Sequence, residues 1–453
     1  MPGGLHTDLI AAVATPPGQG GIGIVRLSGA GARRVAQQIC GRTLQPRHAT
    51  LCDFHDGDEI VDQGLALWFP GTASFTGEEV VELQGHGGPV VLQRLLDMVC
   101  ALGGRLARPG EFSERAFLNG KIDLTQAEAI ADLIASTSVS AARAAVRSLQ
   151  GVFSTQVRAV ADGLSDLRVL VEACIDFPEE DVEFLKDAQV TEKVSAFESQ
   201  LRELRSNSEQ GRLLNEGLSV AIIGEPNAGK SSLLNVLTGE EAAIVTDIPG
   251  TTRDLLKVDM VLDGLPLRLV DTAGLRDSGD EVERQGVARA KQQASQADLL
   301  LVIFDAAITP VEHIEQCLQR LLQGIEHDAK ILLIMNKSDL LTTPQAQVSQ
   351  VQRLHWLSTK TGDGIAELRT AIAQAAGFSD NEASFTARAR HIEAITRAID
   401  GLHKARQGLV KHEATEIIAE ELRAAHNALG EIVGEVTPDD LLGRIFSEFC
   451  IGK

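Results

Sequence analysis

The sequence predicts a multidomain chain with three parts: an N-terminal α+β domain, a discontinuous α-helical domain, and an α/β P-loop domain of Ras-like type inserted between the helical parts. Residues 224–231 read G-x-x-x-x-G-K-S between an apolar run and a helical pattern. Segments rich in Ala, Leu and Ile lie on both sides of that region. Short apolar runs with glycine-rich corners occupy the beginning of the chain, as in small α+β domains.

At 453 residues the chain has room for about three domains, and 44% of its residues are hydrophobic. Its net charge of −21, from 63 acidic and 42 basic residues, argues against a general nucleic-acid coat but leaves room for a local basic groove. Six scattered cysteines without a C-x-x-C pair favour a reducing, cytoplasmic location. No apolar run has the length of a membrane span, so we expect no membrane association.

Residues 1–118 are predicted to form the first domain. Strands are expected at 9–14, 20–29, 65–69 and 80–84, with helices at 30–40 and from the glycine-rich corner 85–89 to about Leu102. Arg26 and Glu82 are charged residues within strands that are otherwise largely apolar. Charges in strands usually face solvent. The residues alone therefore leave a functional role for Arg26 and Glu82 open.

The central part of the chain has helical periodicity. It is expected at 126–149, 152–175 and 187–214, is broken near 176–180, and returns at 386–411 and 413–434. The simplest architecture is a helical domain in two parts, 119–215 and 379–453, with a domain of residues 216–378 inserted between them. Insertions of this kind are tolerated where the flanking chain ends lie close together at a surface.

Two segments are basic against the acidic average of the chain. One is 379–411, and the other comprises Arg105, Arg108, Arg115 and Lys121. Each is explained either as an ordinary solvated helix face or as a place where a polyanion binds. The residues alone do not decide between these explanations.

The inserted domain begins with the phosphate-binding motif. Glycines allow backbone N–H groups to surround a phosphate, and the N-terminus of the following helix adds positive potential. In this motif Lys230 is expected to reach the β- and γ-phosphates of a nucleotide, and the Ser231 hydroxyl is expected to bind Mg²⁺.

Further motifs follow in the order of a GTPase. Asp271-Thr272-Ala273-Gly274 ends a predicted hairpin strand, where Asp faces Mg²⁺ through water and the Gly N–H meets the γ-phosphate. Asn336-Lys337-Ser338-Asp339 ends an apolar strand, at the edge where open α/β sheets bind ligands. An Asp carboxylate accepts hydrogen bonds from guanine N1–H and N2–H₂, and adenine lacks that donor pair. Ser358-Thr359-Lys360 would support the base, so the motifs predict guanine nucleotide binding.

One residue departs from the Ras-like pattern. Ras-like enzymes place a Gln directly after Asp-x-x-Gly to position the attacking water, and this chain has Leu275 there. Leucine cannot hydrogen-bond to water, so hydrolysis requires another polar group. Residues 280–284 contain several carboxylates, and chemistry alone does not choose among them.

The whole chain resembles the MnmE (TrmE) family of tRNA-modifying GTPases. The resemblance is carried by Ala14-Thr15-Pro16-Pro17-Gly18, Phe75-Thr76-Gly77-Glu78-Glu79, Glu82-Leu83-Gln84-Gly85-His86-Gly87-Gly88, Pro109-Gly110-Glu111-Phe112-Ser113, Arg115-Ala116-Phe117-Leu118-Asn119-Gly120-Lys121, Gly250-Thr251-Thr252-Arg253-Asp254 and the terminal Cys450-Ile451-Gly452-Lys453. It implies that residues 1–118 bind 5-formyl-tetrahydrofolate or a related one-carbon folate and form a homodimer.

The resemblance also implies the activity and the partners. Such proteins hydrolyse GTP with Mg²⁺ and K⁺ and form a heterotetramer with MnmG, which uses FAD and NADH. Together they add aminomethyl or carboxymethylaminomethyl groups to C5 of the wobble uridine in certain tRNAs. These are expectations that rest on the resemblance.

The family's functional residues are transferred to matching positions of this chain. The implied folate ligands are Arg26, Glu82, Lys121 and Lys453. The implied Mg²⁺ ligands are Ser231 and Thr252, and the implied K⁺ ligands are Asn227, Thr246, Ile248 and Thr251. Glu283 matches the residue that orients the attacking water, and Cys450 is a candidate for the modification chemistry. The full predicted GTP site is Asn227, Ala228, Gly229, Lys230, Ser231, Ser232, Thr246, Thr251, Thr252, Asp271, Thr272, Ala273, Gly274, Asn336, Lys337, Asp339, Ser358, Thr359 and Lys360.

Two other functions are alternatives to the tRNA-modifying enzyme. A GTP-dependent assembly switch, for example on the ribosome, would share the nucleotide motifs. However, no KH-like G-x-x-G loop follows residue 378, whereas the folate candidates and the Cys-Ile-Gly-Lys terminus favour the enzyme. A folate enzyme acting on DNA or a metabolite would leave GTP hydrolysis without a role.

Overall fold

The structure is a computed structural model of the chain. It describes residues 8–176, 188–239, 257–271, 291, 294–327, 329–341, 354–378, 385–411, 414–436, 439–447 and 449–452. The chain folds into two compact units. The first unit comprises Met1–Ala131, Ser148–Glu198 and Arg397–Lys453, and the second comprises Asp132–Arg147 and Ser199–Thr396.

A six-stranded sheet organises the first unit, with the strand order β3-β4-β5-β2-β1-β6. Neighbouring strands are antiparallel except β1 and β6, which are parallel. The strands are Ile10–Val13 (β1), Gly20–Ser28 (β2), Thr50–Asp56 (β3), Glu59–Phe69 (β4), Val80–Gly87 (β5) and Arg105–Leu106 (β6).

One face of this sheet packs against two helices, α1 (Ala32–Cys40) and α2 (Pro89–Ala101). Side chains alternate between the faces of a strand. Val25 and Leu27 therefore enter the core under the helices, while Arg26 lies on the opposite face. Each fully buried side chain of this size contributes about 1.5–3 kcal/mol to folding.

The opposite face is only partly covered. A short helix, α3 (Glu111–Leu118), brings Phe112 against Ile10, Ala12 and Ala107. Farther along the sheet, Leu51 of β3 and Leu65 of β4 face each other across the strands, and they are 60% and 37% exposed. This face thus combines a covered end with an apolar, solvent-exposed region.

Two helices pack along each other in the first unit, α6 (Val152–Asp176) and α12 (Thr415–Val433). The buried apolar residues of α6 recur every three or four positions and form one face: Phe153, Val157, Val160, Ala161, Leu164, Leu167 and Val171. The last helix, α13 (Asp439–Ser447), packs near α3 through Phe446. The remaining helices of the helical segments are α4 (Leu124–Ala135), α5 (Val139–Leu149), α7 (Ala188–Glu216) and α11 (Ala389–Lys411).

A second six-stranded sheet organises the second unit, with the order β12-β11-β10-β7-β9-β8. Its strands are parallel except for the antiparallel hairpin of β8 and β9. The strands are Leu218–Gly224 (β7), Lys257–Leu262 (β8), Leu265–Asp271 (β9), Leu299–Asp305 (β10), Lys330–Asn336 (β11) and Leu354–Trp356 (β12).

Strand β10 explains why the parallel strands of this sheet have continuous apolar sequences. All six residues from 299 to 304 are buried, and alternate side chains join two different cores. One core includes residues of α8 (Lys230–Gly239) and α10 (Ile365–Ala376), and the other includes Ile314 at the start of α9 (Ile314–Leu321). Helices therefore cover both faces, as parallel strands require.

Several details differ from the sequence-based expectations. Strands β3 and β6 and helices α3, α9, α10 and α13 were not expected, and Gly85–Gly87 belongs to strand β5 rather than to a helix start. The expected helix at 126–149 is two helices, α4 and α5, separated at 136–138. The Ser138 hydroxyl accepts a hydrogen bond from the Ala141 N–H, so a local serine cap starts the second helix. Most of the expected break near 176–180 lies outside the described residues.

Candidate functional site

The G-x-x-x-x-G-K-S segment connects β7 to α8 at the edge of the second sheet. Asn227 and Gly229 have positive φ angles of 62° and 103°. Such left-handed residues allow consecutive backbone N–H groups to form a concave anion site. A Cβ at position 229 would also collide with the side-chain amide of Asn336. Glycine is thus required there both for its backbone conformation and for its lack of a side chain.

Lys230 begins helix α8, and its ammonium lies against the loop. Its Nζ donates hydrogen bonds to the carbonyl oxygens of Gly224 at 2.8 Å and Glu225 at 2.9 Å. The side chains of Asn227, Ser231 and Ser232 are exposed at the same helix start. The loop thereby presents one cation, two hydroxyls and one carboxamide around the helix N-terminus, a combination that suits phosphate and a small cation.

Asn336 connects the phosphate loop to the end of the sheet. Its side chain is fully buried, and Nδ2 donates to the Ala228 carbonyl at 2.9 Å. Its Oδ1 accepts from the backbone N–H of Thr359 at 3.1 Å. One carboxamide therefore joins three segments: the phosphate loop, the end of β11 and the loop at 358–360.

Two carboxylates follow the ends of β10 and β11. The exposed Asp339 carboxylate accepts a hydrogen bond from the buried Ser358 hydroxyl at 2.7 Å. Lys337, whose φ is 63°, donates from Nζ to Asp305 Oδ2 at 2.6 Å. Ser358 orients the Asp339 carboxylate, and Asp305 holds the Lys337 ammonium, so the region has a fixed acceptor for a base with paired N–H donors.

A second constellation lies on the partly covered face of the first sheet. Arg26 and Glu82 are register partners on β2 and β5. The Nε and Nη2 groups of Arg26 both donate to Glu82 Oε1, at 3.0 and 2.9 Å. Glu82 Oε2 accepts from Gln84 Nε2 at 3.2 Å, and Arg26 Nη1 donates to the carbonyl of Gly452 at 3.3 Å. The pair is 26% and 16% exposed, so it remains within reach of a ligand.

Lys121 is connected to this face through the loop before β5. A Cβ on Gly77 would lie 3.3 Å from Cγ of Lys121, so the lysine stem runs beside that loop. Asn119 donates from Nδ2 to the Thr76 carbonyl at 2.7 Å, and the hydroxyls of Thr76 and Ser28 are hydrogen-bonded at 2.8 Å. Ser28 lies two residues beyond Arg26 on the same strand.

An ionic cluster is centred on two buried residues of helix α3, Arg115 and Glu111. Arg115 is 4% exposed and donates to Glu78, Asp8 and Glu111, with ion-pair distances of 2.9, 2.9 and 3.2 Å. Burial alone would raise the pKa of the Glu111 carboxyl. Hydrogen bonds from Arg105 and from the Arg108 N–H, together with the charge of Arg105, outweigh burial and lower this pKa to about 2.

These contacts bear on the two basic segments. Arg105, Arg108 and Arg115 all pair with carboxylates of the first unit, namely Asp8, Glu78, Glu111 and Glu114. On α11, Arg397 pairs with Glu431 and Arg406 with Glu198. Their positive charges are balanced within the protein, which favours the structural explanation for these arginines.

Family comparisons cover almost the whole chain. A profile of the GTP-binding protein TrmE N-terminus matches residues 9–121, and a profile of the MnmE helical domain matches residues 124–450. The tRNA modification GTPase MnmE of Pectobacterium carotovorum subsp. carotovorum (strain PC1) is 51% identical over 452 residues, which is 99% of this chain and 100% of that protein. The chain belongs to the MnmE (TrmE) family of tRNA modification GTPases.

Two solved structures each resemble a part of this MnmE-family chain. The G domain of the T. maritima FeoB iron transporter is 27% identical, covers 35% of this chain and 98% of its own, and has a TM-score of 0.27. An Aquifex aeolicus Era variant bound to GDP·AlF₄⁻ is 24% identical, covers 40% of this chain and 66% of its own, and has a TM-score of 0.29.

The predicted family is confirmed, and so is the predicted fold class of an N-terminal α+β part, a helical part and an α/β P-loop GTPase part. No helix among the described residues is both long and apolar enough to cross a bilayer. Within the same residues, no group of three or more His, Cys, Asp or Glu side chains is arranged to hold a metal. The five cysteines that the structure describes with side chains are free thiols, and Cys450 alone among them is exposed.

Several predicted site residues of this MnmE-family chain lie outside the described residues. They are Thr246, Ile248, Thr251, Thr252, Thr272, Ala273, Gly274, Glu283 and Lys453, and the side chain of Asp271 is likewise not described. Their roles stay predictions. The other predicted residues fall into two places: the edge of the second sheet, and the Arg26 face of the first sheet with its adjoining loop and C-terminal residues.

Three features of these sites were not predicted from the sequence. Asp305 ends the apolar run of β10, at the same sheet edge as Asn336, and that position could have identified it. Gln84 shares a strand face with Glu82, which strand alternation could have shown. The Gly452 carbonyl has no local sequence signal, because its partner Arg26 is 426 positions away.

Proposed function

We propose that this MnmE-family chain is a K⁺-stimulated GTPase that acts with MnmG on tRNA. Together they add an aminomethyl or carboxymethylaminomethyl group to C5 of the wobble uridine, using a tetrahydrofolate one-carbon unit. The observation that carries this proposal is the 51% identity, over the whole chain, to a tRNA modification GTPase. The two separate residue constellations described above agree with a GTP site and a folate site.

The chemistry of the second sheet's edge supports guanine nucleotide binding. The oriented Asp339 carboxylate would accept from the two N–H donors of guanine, and the loop at 358–360 would provide backbone donors. Lys230 and the positive end of α8 would hold the phosphates. The residues present therefore fit GTP.

Mg²⁺ and K⁺ are proposed to assist at the phosphates. Mg²⁺ usually takes few protein ligands beside water and phosphate, and the exposed Ser231 hydroxyl at the start of α8 fits such a site, with Thr252 as the second ligand. The exposed Asn227 carboxamide would bind K⁺ with the loop residues Thr246, Ile248 and Thr251. The K⁺ charge would offset negative charge in the transition state, in the way an arginine finger does.

Hydrolysis in this proposal needs no Gln after Asp-x-x-Gly. Leu275 occupies that position, and Glu283 would orient the attacking water instead. Phosphoryl transfer depends mainly on positioning and electrostatic stabilisation. A carboxylate that orients water, combined with a bound cation, would supply both.

A reduced folate fits the chemistry of the Arg26 face. Glu82 would accept from the ring N–H groups, and Arg26, Lys121 and Lys453 would bind the acidic tail or the ring oxygens. The folate would supply the one-carbon unit, while FAD and NADH would be bound by MnmG. Cys450 is exposed at the neighbouring C-terminal segment, which agrees with a role in the modification chemistry.

The assembly proposed is a homodimer formed through the first domains, joined with MnmG into a heterotetramer in the cytoplasm. The exposed Leu51 and Leu65 pair on the first sheet supports a protein interface there. Free thiols agree with a reducing compartment. We retain 1–118, 119–215, 216–378 and 379–453 as the proposed domain boundaries.

Hydrolysis is expected to depend on the type of monovalent cation. Phosphate release should be about 10²-fold faster in KCl than in NaCl at matched ionic strength, because loss of one charge-stabilising group in a transition state typically costs 10²–10³-fold. Asn227→Ala should remove most of this difference while GDP binding is retained. Equal wild-type rates in the two salts would contradict the proposed K⁺ site.

The modification itself is tested by nucleoside mass spectrometry of tRNA from cells that lack this gene. We expect loss of the C5 side chain from wobble uridine, and its restoration by the intact gene. A Cys450→Ser gene should fail to restore it if the thiol takes part in the chemistry. An unchanged modification profile would instead support the GTP-dependent assembly switch, and ribosome profiles would then be examined.

A further inference from the structure

The main chain of Cys450–Gly452 contacts the first sheet and the residue before α3. The Gly452 carbonyl accepts from Arg26 Nη1, and the Cys450 carbonyl accepts from the Gly110 N–H at 3.4 Å. Gly452 has a φ of 94°, and a Cβ there would collide with the carbonyl of Val13 at the end of β1. The main chain of this segment, Cys450–Gly452, is called the tail below.

Two buried phenylalanines precede the tail and anchor it. Phe446 and Phe449 are buried, and they pack with Leu124 and Ala127 in one apolar cluster. Beyond this anchor, the Cys450 side chain is exposed and Ile451 is 59% exposed. Side-chain burial therefore contributes little to holding these two residues. Among the described residues, the tail is held mainly by two hydrogen bonds to its carbonyl groups, one from the Gly110 N–H and one from the Arg26 guanidinium.

The Arg26 guanidinium binds both Glu82 and the tail. Two nitrogens bind Glu82, and the third binds the tail at Gly452. The five N–H donors of a guanidinium lie in one rigid plane. The ion pair with Glu82 thus sets the direction in which Nη1 points, and Gln84 in turn holds the second oxygen of Glu82.

Glu82 retains capacity for a ligand while it holds Arg26. An ionised carboxylate has about four acceptor positions on two oxygens. Both hydrogen bonds from Arg26 go to Oε1, whereas Oε2 receives one bond among the described residues, from Gln84. A heterocycle with N–H donors can therefore bind Glu82 without displacing Arg26 from the tail.

We propose that Arg26 is the positioning residue of the C-terminal tail, and that the Arg26–Gly452 bond couples tail docking to ligand binding at Glu82. The proposed coupling between tail docking and ligand binding rests on the proposed folate site. Tail docking would orient Arg26 toward the ligand. By thermodynamic reciprocity, a ligand that favours the docked tail is itself bound more tightly when the tail is docked.

The test uses full-length protein with a nitroxide spin label on Cys450, the exposed cysteine among those described, and mass spectrometry to verify the labelled site. Without folate, the wild type should show a largely immobilised spectrum. Arg26→Lys, which loses the planar fork, should raise the ratio of mobile to immobile label about tenfold. Gly452→Ala should do the same, because it forces a collision with Val13 while the Arg26–Glu82 pair is kept.

Arg94→Lys provides the matched control. Arg94 pairs with Asp56 and Glu59 on the same domain, so it undergoes the same substitution at a pair that does not contact the tail. Its label spectrum should equal that of the wild type. A spectrum unchanged in both Arg26→Lys and Gly452→Ala would overturn the positioning role of Arg26.

The coupling is measured with 5-formyl-tetrahydrofolate. It should immobilise the label further in the wild type, and its Kd should be about tenfold weaker for Gly452→Ala. Equal Kd values for these two proteins would overturn the coupling. If the folate fails to bind the wild type while the variants still release the tail, the proposed folate function is wrong and the positioning role of Arg26 stands.

Discussion

Asp339→Asn is expected to change the nucleotide preference of this protein from GTP to XTP. The Asp339 carboxylate would accept from N1–H and from the 2-amino group of guanine. Xanthine keeps N1–H but carries an oxygen at C2. An Asn at this position would accept from N1–H with its oxygen and donate to the C2 oxygen with its nitrogen.

The expected loss of GTP affinity is large. Hydrogen bonds to a charged group contribute about 1.5–3 kcal/mol each. With GTP, the Asn oxygen still accepts from N1–H as a neutral bond of about 0.5–1.5 kcal/mol, whereas the bond from the 2-amino group is lost. The combined loss is about 2.5–4.5 kcal/mol, or a Kd that is roughly 10²- to 10³-fold weaker. Isothermal titration with GTP, ITP and XTP measures the change. ITP lacks the 2-amino group but keeps N1–H. It should therefore bind the wild type more weakly than GTP and more tightly than XTP.

Ser358→Ala is the control for this substitution. The Ser358 hydroxyl holds Asp339 at 2.7 Å without forming part of the proposed contact to the base. Its removal should weaken GTP about tenfold or less, without any gain of XTP binding. If Asp339→Asn bound GTP and XTP as the wild type does, the base would be recognised by other residues.

Arg115→Met is expected to destabilise the first domain by about 3–5 kcal/mol. Arg115 and Glu111 are 4% and 1% exposed, and removal of one partner from a buried ion pair leaves the other charge poorly compensated. Arg108 pairs with Glu114 at the same helix but is 58% exposed. Arg108→Met should therefore cost less than about 1 kcal/mol, as exposed ion pairs do.

The cost of Arg115→Met should also depend on pH. The pKa of Glu111 is about 2 in the folded protein and 4.5 for the unperturbed group. This depression stabilises the folded state above about pH 4.5, and the stabilisation is lost as the pH falls toward 2. Arg115→Met weakens the depression, so the difference in stability between variant and wild type should narrow over that pH range.

Both effects can be followed by tryptophan fluorescence during urea unfolding. The chain has two tryptophans, and Trp356→Phe leaves Trp68 of β4 as the reporter of the first sheet. The variants are compared in this background at pH 7 and at pH 3. Equal midpoints for Arg115→Met and Arg108→Met at pH 7 would show that the buried cluster contributes no more than a surface pair.

The residues at the nucleotide-binding edge of the second sheet could be predicted from local sequence patterns. The phosphate loop and Asn336–Asp339 each occupy a few consecutive residues directly after an apolar strand. Parallel strands with helices on both faces bring their carboxyl ends to one edge, so strand order along the chain was enough to expect these motifs together. The fold class followed from the same periodicities.

Sequence patterns were less informative for the first unit. Strand β3 has mixed polarity, because only Cys52 and Phe54 of its seven residues are buried, and it was missed for that reason. Helix α13 was missed as well. It is short, and its stability comes from Phe446 packing beside residues of α3 and α4 rather than from a long periodic pattern.

The sequence by itself determined the family, the fold class and the residue types at the nucleotide edge, because each of these depends on contiguous motifs or regular spacing. Tertiary structure alone decided the contacts among distant segments. Antiparallel register places Arg26 opposite Glu82, and chain folding brings Gly452 to the same guanidinium. The buried charge of Arg115 likewise finds Asp8, Glu78 and Glu111 only after strands and helix have packed. Such contacts depend on the register and packing of whole elements, which no local pattern encodes.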